Sequence, residues 1–134
     1  MPQLHIQCYE EHTDAQKIVL VRDLTKTVCA AAAVTPPNVQ IQFYPISRNN
    51  RAVSGRLMSD VKDPDKLPLE DTPWLIVQLQ LFEGRSLDQK RALAKGVTED
   101  ISKNFGIRPE RIQIILSEMN RIHNSTGGLL AIDC

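Results

Sequence analysis

Few residues of this 134-residue chain have the types and spacing to do chemistry. The chain opens MPQLHIQCYE, and Pro2 directly behind Met1 is the first candidate. Proline lacks the N–H that a strand ladder needs but is tolerated at a strand's first position, so Pro2 can simply head a strand. Methionine is commonly trimmed when a small residue such as proline follows. Trimming here would expose a secondary amine, able to act as base or nucleophile. An α-amino group titrates near pH 8, and desolvation or a nearby cation lowers that value toward neutrality. A base so poised suits moving a proton between carbon and oxygen. Arg85 in FEGRS is the second candidate: its guanidinium can grip a carboxylate through two parallel hydrogen bonds, or be a solvated cation at a strand end.

Other signatures are missing. His5, His12 and His123 have no metal-ligand spacing with one another or with a cysteine. There is no P-loop, no G-x-G-x-x-G and no G-x-S-x-G elbow, and Gly127-Gly128 reads as a hairpin turn. No cofactor is expected. Cys8, Cys29 and Cys134 are odd in number and form no C-x-x-C pair, which fits a reducing cytoplasm. With 16 Lys plus Arg against 16 Asp plus Glu, the balance suggests neither nucleic acid nor an anionic membrane as partner. No apolar run approaches the roughly 18 residues of a membrane span.

The elements that must position Pro2 and Arg85 come in two copies. Thr13 and Ser86, Gln16 and Gln89, Pro36 and Pro109, Gln40 and Gln113, and Gly55 and Gly128 are each 73 positions apart, which indicates a tandem duplication. Pro2 and Pro73 are 71 apart, so a bulge or an extended strand must absorb two residues in the second copy. T-x-x-Q and S-x-x-Q are capping boxes that start a helix in each copy. Behind them Ile18, Val21, Leu24 and Val28, and then Leu93, Val97 and Ile101, recur at helical spacing. Each copy reads strand, helix, strand, hairpin, with a right-handed crossover and parallel pairing. The expected fold is α/β (α+β): tandem β-α-β units forming a four-stranded mixed sheet with two helices on one face. The first unit spans 1–58, a linker 59–72 and the second unit 73–134. WLIVQLQLF and IQIIL look too apolar for the other sheet face to meet water, so further copies of the chain are expected to cover it.

EGRSLDQKRALAKGV and IILSEMNRIHNSTGGLLA resemble 4-oxalocrotonate tautomerase closely, and Pro2, EEHTDAQK, VQIQFYPIS and SGRL hold the same places in the first half. The chain thus resembles a fused member of the tautomerase superfamily, of the two-unit design shared by cis-3-chloroacrylic acid dehalogenases and malonate semialdehyde decarboxylases. The resemblance implies that Pro2 is a general base and that Arg85 binds a substrate carboxylate. It also implies one site per chain, because the nitrogen of Pro73, the internal counterpart, is locked in a peptide bond. At the family's other site positions stand His12, in place of the first arginine, and Gln40 and Gln113, in place of the second. Arg51 and Asn124 stand where the family has a phenylalanine. The implied activity is interconversion of enol and keto forms of a small-molecule 2-oxo acid. A single carboxylate-gripping arginine favours a monocarboxylate. Single-unit relatives form trimers of dimers, so a fused chain is expected to be a homotrimer.

Two other readings stay in competition. One keeps the fold and changes the reaction to dehalogenation or decarboxylation through hydration. Against it, the dehalogenase pattern has a second arginine where this chain has Phe82, and the decarboxylase pattern has one where it has Glu83. The acidic residue that decarboxylases carry after their P-P turn is also absent from PPNVQ. The other reading is an inactive scaffold or binding protein, allowed by His12, Gln113 and Asn124.

Overall fold

The structure, a computed structural model, describes residues 2–60 and 73–134. The first unit runs β1 (Gln3–Tyr9), α1 (Asp14–Ala32), β2 (Gln40–Ile46) and the hairpin β3 (Ala52–Val53) and β4 (Arg56–Leu57). The second runs β5 (Leu75–Phe82), α2 (Leu87–Phe105), β6 (Ile112–Met119) and the hairpin β7 (Ser125–Thr126) and β8 (Leu129–Leu130).

Both helices start at the predicted boxes. Thr13 Oγ1 accepts the Gln16 N–H at 3.2 Å while the Gln16 side chain accepts the Thr13 N–H at 2.8 Å. Ser86 and Gln89 repeat the exchange at 3.1 and 2.8 Å. These bonds satisfy donors that a helix start leaves open. Each helix ends on a left-handed residue, Gly106 for α2 and Ala33 for α1. Glycine adopts that conformation without strain and alanine does not.

The sheet order is β2-β1-β5-β6, parallel within each unit and antiparallel where β1 meets β5. This is the mixed four-stranded sheet expected from two β-α-β units. The 73-residue offset holds in the register: Gln3 faces Gln40 as Ile76 faces Gln113. One correction follows. At this offset the counterpart of Pro2 is Leu75, and Pro73 lies two residues upstream, so an extension before the strand absorbs the extra residues. Two contacts join residues related by the same offset, His5 facing Gln78 and the Thr27 hydroxyl donating to Asp100 at 2.5 Å. An approximate two-fold axis therefore passes through the middle of the sheet and between the helices. There Gly96 lets α2 approach the Thr27 methyl, which an added Cβ would overlap.

The core lies between sheet and helices. Leu4, Ile6, Leu75, Val77, Leu79 and Leu81 meet Leu20, Leu24, Val28 and Ala32 of α1 and Leu93, Val97, Ile101 and Phe105 of α2. The α2 stripe is the one expected. The α1 stripe is shifted: Ile18 is 51% exposed and Val21 half-buried, because position 20, the counterpart of Leu93, carries the core contact. The expectation of an apolar open face is overturned. The open face carries Gln3, Gln7, Gln40, Gln42, Gln78, Gln80 and Gln113, with Ile76, Ile115 and a stacked His5–Tyr44 pair among them. The apolar residues of WLIVQLQLF mostly alternate onto the helix side. Of the linker, Ser59 and Asp60 belong to the 3₁₀ turn Met58–Asp60, and 61–72 lie outside the described residues.

Candidate active site

A strand rises about 3.3 Å per residue, so the seven residues of β1 hold the two ends of the sheet roughly 20 Å apart. Because β1 and β5 run antiparallel, the start of β1 lies beside the end of β5. This brings Pro2 and Arg85 to one end of the sheet. Pro2 is buried there, and its carbonyl accepts the Gln40 N–H at 3.1 Å. Arg85 is half-buried at the turn into α2. Its Nη1 donates to the Phe82 carbonyl at 3.3 Å and its Nη2 to the Ala32 carbonyl, at the carboxyl end of α1, at 3.4 Å. Both bonds are long, which leaves the guanidinium loosely held. Asn124 comes to the same end on the loop before β7, where its amide donates to Met119 Sδ at 3.4 Å.

Beside them a groove is lined by Asn38, Phe82, Arg121, Asn124, Thr126 and Leu129, among others. The Arg121 guanidinium stands over the Phe82 ring, 4.4 Å from its centre. Sequence reasoning did not single out Arg121. Its counterpart at the 73-residue offset, Arg48, stands over Tyr9 at the same 4.4 Å, so the duplication carried the signal.

The other expected site residues lie at the opposite end. The His12 ring stacks on Phe105, the last residue of α2, with centres 3.8 Å apart and planes 6° apart, and burial pulls its pKa below the usual histidine value. Arg51 donates to the carbonyls of Pro73, at 2.5 Å, and Trp74. Gln113 is exposed on the open face at the start of β6. Within one chain, then, Pro2, Gln40, Arg85 and Asn124 come together, and His12, Arg51 and Gln113 form a separate group. The counterpart of Pro2 at that second end, Leu75, offers only an amide nitrogen.

Among the described residues no cluster of His, Cys, Asp and Glu has the grouping to hold a metal ion, and no helix is long and apolar enough to cross a membrane.

Comparison with known proteins agrees with this architecture. The family model described as tautomerase enzyme matches residues 76–130. A probable tautomerase of Lactiplantibacillus plantarum is 47% identical over 58 residues, which take in 43% of this chain and 91% of that protein. A probable tautomerase of Listeria monocytogenes is 44% identical over 57 residues, 42% of this chain and 93% of that protein. The crystal structure of a native fused 4-OT superposes with a TM-score of 0.84 at 19% identity, covering 98% of this chain and 97% of that one. N1, a member of the cis-3-chloroacrylic acid dehalogenase family, gives 0.76 at 16% identity over 96% and 82%. The relatives account for one unit by sequence and the solved structures for both units by fold: the chain belongs to the tautomerase superfamily.

Proposed function

We propose that this protein is a tautomerase that interconverts the enol and keto forms of a 2-oxo acid, with Pro2 as general base once Met1 is removed. The Pro2 amine takes the enol O–H proton and returns it to the neighbouring carbon. The carbonyl forms as the carbon–carbon double bond is lost, and no atom is gained or lost overall. Arg85 binds the substrate carboxylate and offsets the negative charge that builds on the enolic oxygen. Gln40 and Asn124 supply polar contacts at the mouth. The observation that carries this reading is the antiparallel β1–β5 pairing, which sets Pro2 and Arg85 at one end of the sheet although 83 positions separate them. A single carboxylate-binding arginine favours a monocarboxylate substrate.

The units 1–58 and 73–134 share one sheet in this reading, with 59–72 connecting them, and the protein works in the cytoplasm without a cofactor. It assembles as a homotrimer with three sites; in support, two fused 4-OT neighbours are an asymmetric and a symmetric trimer. The glutamine-rich open face would make such an interface polar and hydrogen-bonded. Sedimentation checks the assembly, and a stable monomer at micromolar concentration refutes it. Intact-mass spectrometry beside an enol-conversion assay tests the base: material with a free Pro2 should be active and material that keeps Met1 nearly inactive. Equal activity in the two would reduce Pro2 to the first residue of a strand.

A further inference from the structure

The two hairpins hold equivalent places in the duplication, yet only the first is covered by its own chain. Behind β3–β4, Met58 and Tyr9 are buried, with Ile46, Val53 and Trp74 packed against them. Arg51 fastens this hairpin to the extension before β5 by donating to the carbonyls of Pro73 and Trp74. At the 73-residue offset, Val53, Met58 and Trp74 correspond to Thr126, Ala131 and Met1. The second hairpin thus has a polar residue and a small one where the first has apolar bulk. The place of Trp74 falls to Met1, which must be absent for Pro2 to act. Asn124, the counterpart of Arg51, donates within its own unit, to Met119 Sδ. The groove beside the Pro2 end, with Phe82, Thr126 and Ala131 in its lining, lies where the first unit has this small core.

The second hairpin and its flanking turns instead present apolar side chains to the outside. Ile122, Leu129, Leu130 and Ile132 are between 40% and 59% exposed. Their counterparts in the first unit are Asn49, Arg56, Leu57 and Ser59, mostly polar residues. Large apolar side chains clustered on a surface in this way mark a place that another protein covers. The chain carries a second exposed apolar surface, with Tyr44 on β2 and Leu57 on β4. β2 and β6 are the two edge strands of the sheet, and each is followed by one hairpin. Two unlike apolar surfaces therefore belong to opposite edges of one chain. Identical copies join such surfaces head to tail, and a ring closes where the rotation per copy allows it.

We propose that the second hairpin is the docking surface for another copy of this chain, whose β2 edge, with Tyr44 and Leu57, seats on Ile122, Leu129, Leu130 and Ile132. This rests on the homotrimer reading and adds to it the surfaces that join the copies. Each contact also completes a Pro2 site. Leu129 belongs both to the apolar patch and to the lining of the groove, so a seated neighbour covers the groove's open side. Excluding water there strengthens the charge-assisted bonds that the enol conversion uses. A single copy has the residues of the site without its cover.

Sedimentation of the full-length protein, beside far-UV circular dichroism and an enol-conversion assay, tests the docking. Leu129→Lys combined with Ile132→Lys alters exposed positions, so the fold of one chain should be retained. The dissociation constant of the trimer should nevertheless rise about a hundredfold or more, because the contact would bury two unpaired charges. Leu57→Lys should break the same contact from its other side. Ile18→Lys, at an exposed apolar position of α1, should leave the trimer intact. Activity per chain should fall with the trimer in Leu57→Lys and recover as protein concentration is raised. Leu57 is not in the groove lining, so this loss reports docking and not a local change. If no enol is converted, sedimentation alone decides the docking. A wild-type monomer would refute the homotrimer reading and the docking together, and would leave the patch to a different partner. A wild-type trimer that survives either hairpin variant, that Ile18→Lys also breaks, or whose activity is unchanged on dissociation would overturn the docking alone.

Discussion

Arg85→Ala separates a substrate-binding arginine from one that only finishes a helix. In the free protein the guanidinium makes two long hydrogen bonds, at 3.3 and 3.4 Å, and the second lies at the carboxyl end of α1. A cation there contributes about 0.3–1 kcal/mol. Removing it should lower stability by about 1 kcal/mol or less, a fall in Tm of roughly 3–6 °C for a chain of this size. Losing the partner of a desolvated substrate carboxylate costs about 2–5 kcal/mol, a factor of roughly 30 to several thousand in kcat/KM. The carboxylate keeps its charge throughout the reaction, so the loss should fall mainly on KM. Arg85→Lys retains the charge without the two-pronged geometry and should lie between wild type and alanine. Steady-state kinetics on an enol substrate beside thermal unfolding of the same preparations gives both numbers. A variant that loses the expected stability yet keeps kcat/KM within twofold or so of wild type would leave Arg85 a helix cap.

Further expectations concern the base and the helix pair. Pro2→Ala with Met1 removed should keep a reduced activity, since a primary amine remains and only its placement changes; complete loss, with the mass of the free amine confirmed, would show that the proline ring itself is required. Gly96→Ala gains about 1 kcal/mol of helix propensity but drives a methyl into the Thr27 methyl, an overpacking worth about 1–3 kcal/mol, so it should be neutral to destabilising. In a Thr27→Ser background, which removes that methyl and keeps the hydroxyl for Asp100, the same change should stabilise by about 1 kcal/mol in urea denaturation; no change of sign would refute the close approach. Burial raises the Asp100 pKa against the pull of the Thr27 hydrogen bond, with Asp23 and Glu99 adding to the rise and Lys103 opposing it. A raised native pKa contributes stability below the unfolded value, near 3.9, that is lost as pH rises through the native value. Asp100→Asn, whose amide oxygen still accepts from Thr27, should therefore be more stable than wild type at neutral pH, with the advantage fading as pH falls through the carboxylate range.

The local signals in the sequence were strong enough to read directly. T-x-x-Q and S-x-x-Q placed both helix starts because the capping partners lie three residues apart. The α1 stripe was harder, since the apolar run Ile18 to Val21 offers several helical faces and only packing selects Leu20. The open face was misjudged because WLIVQLQLF looks apolar as a string, while strand alternation turns Leu75, Val77, Leu79 and Leu81 inward and leaves Gln78 and Gln80 outside. The division of site residues between two ends could not be read locally at all. It depends on β1 pairing antiparallel with β5, a long-range choice that the 73-residue repeat permits and does not dictate. The repeat did carry the equivalence of Arg48 and Arg121, and of His12 and Arg85, once the strands were in register.

A duplicated chain with an approximate two-fold axis has two similar sheet ends but only one leading amine, so its two ends cannot do the same chemistry. The side chains around them differ accordingly. At the Pro2 end the last residue of α1 is Ala32, whose carbonyl Arg85 reaches. At the other end the last residue of α2 is Phe105, whose ring occupies the corresponding place and stacks on a histidine that burial keeps toward its neutral form. Putting a neutral imidazole where the first end has a cation removes the group that would grip a substrate beside a base, and no base stands there. Arg111, entering from the turn before β6, restores positive charge from a different element and at far greater depth.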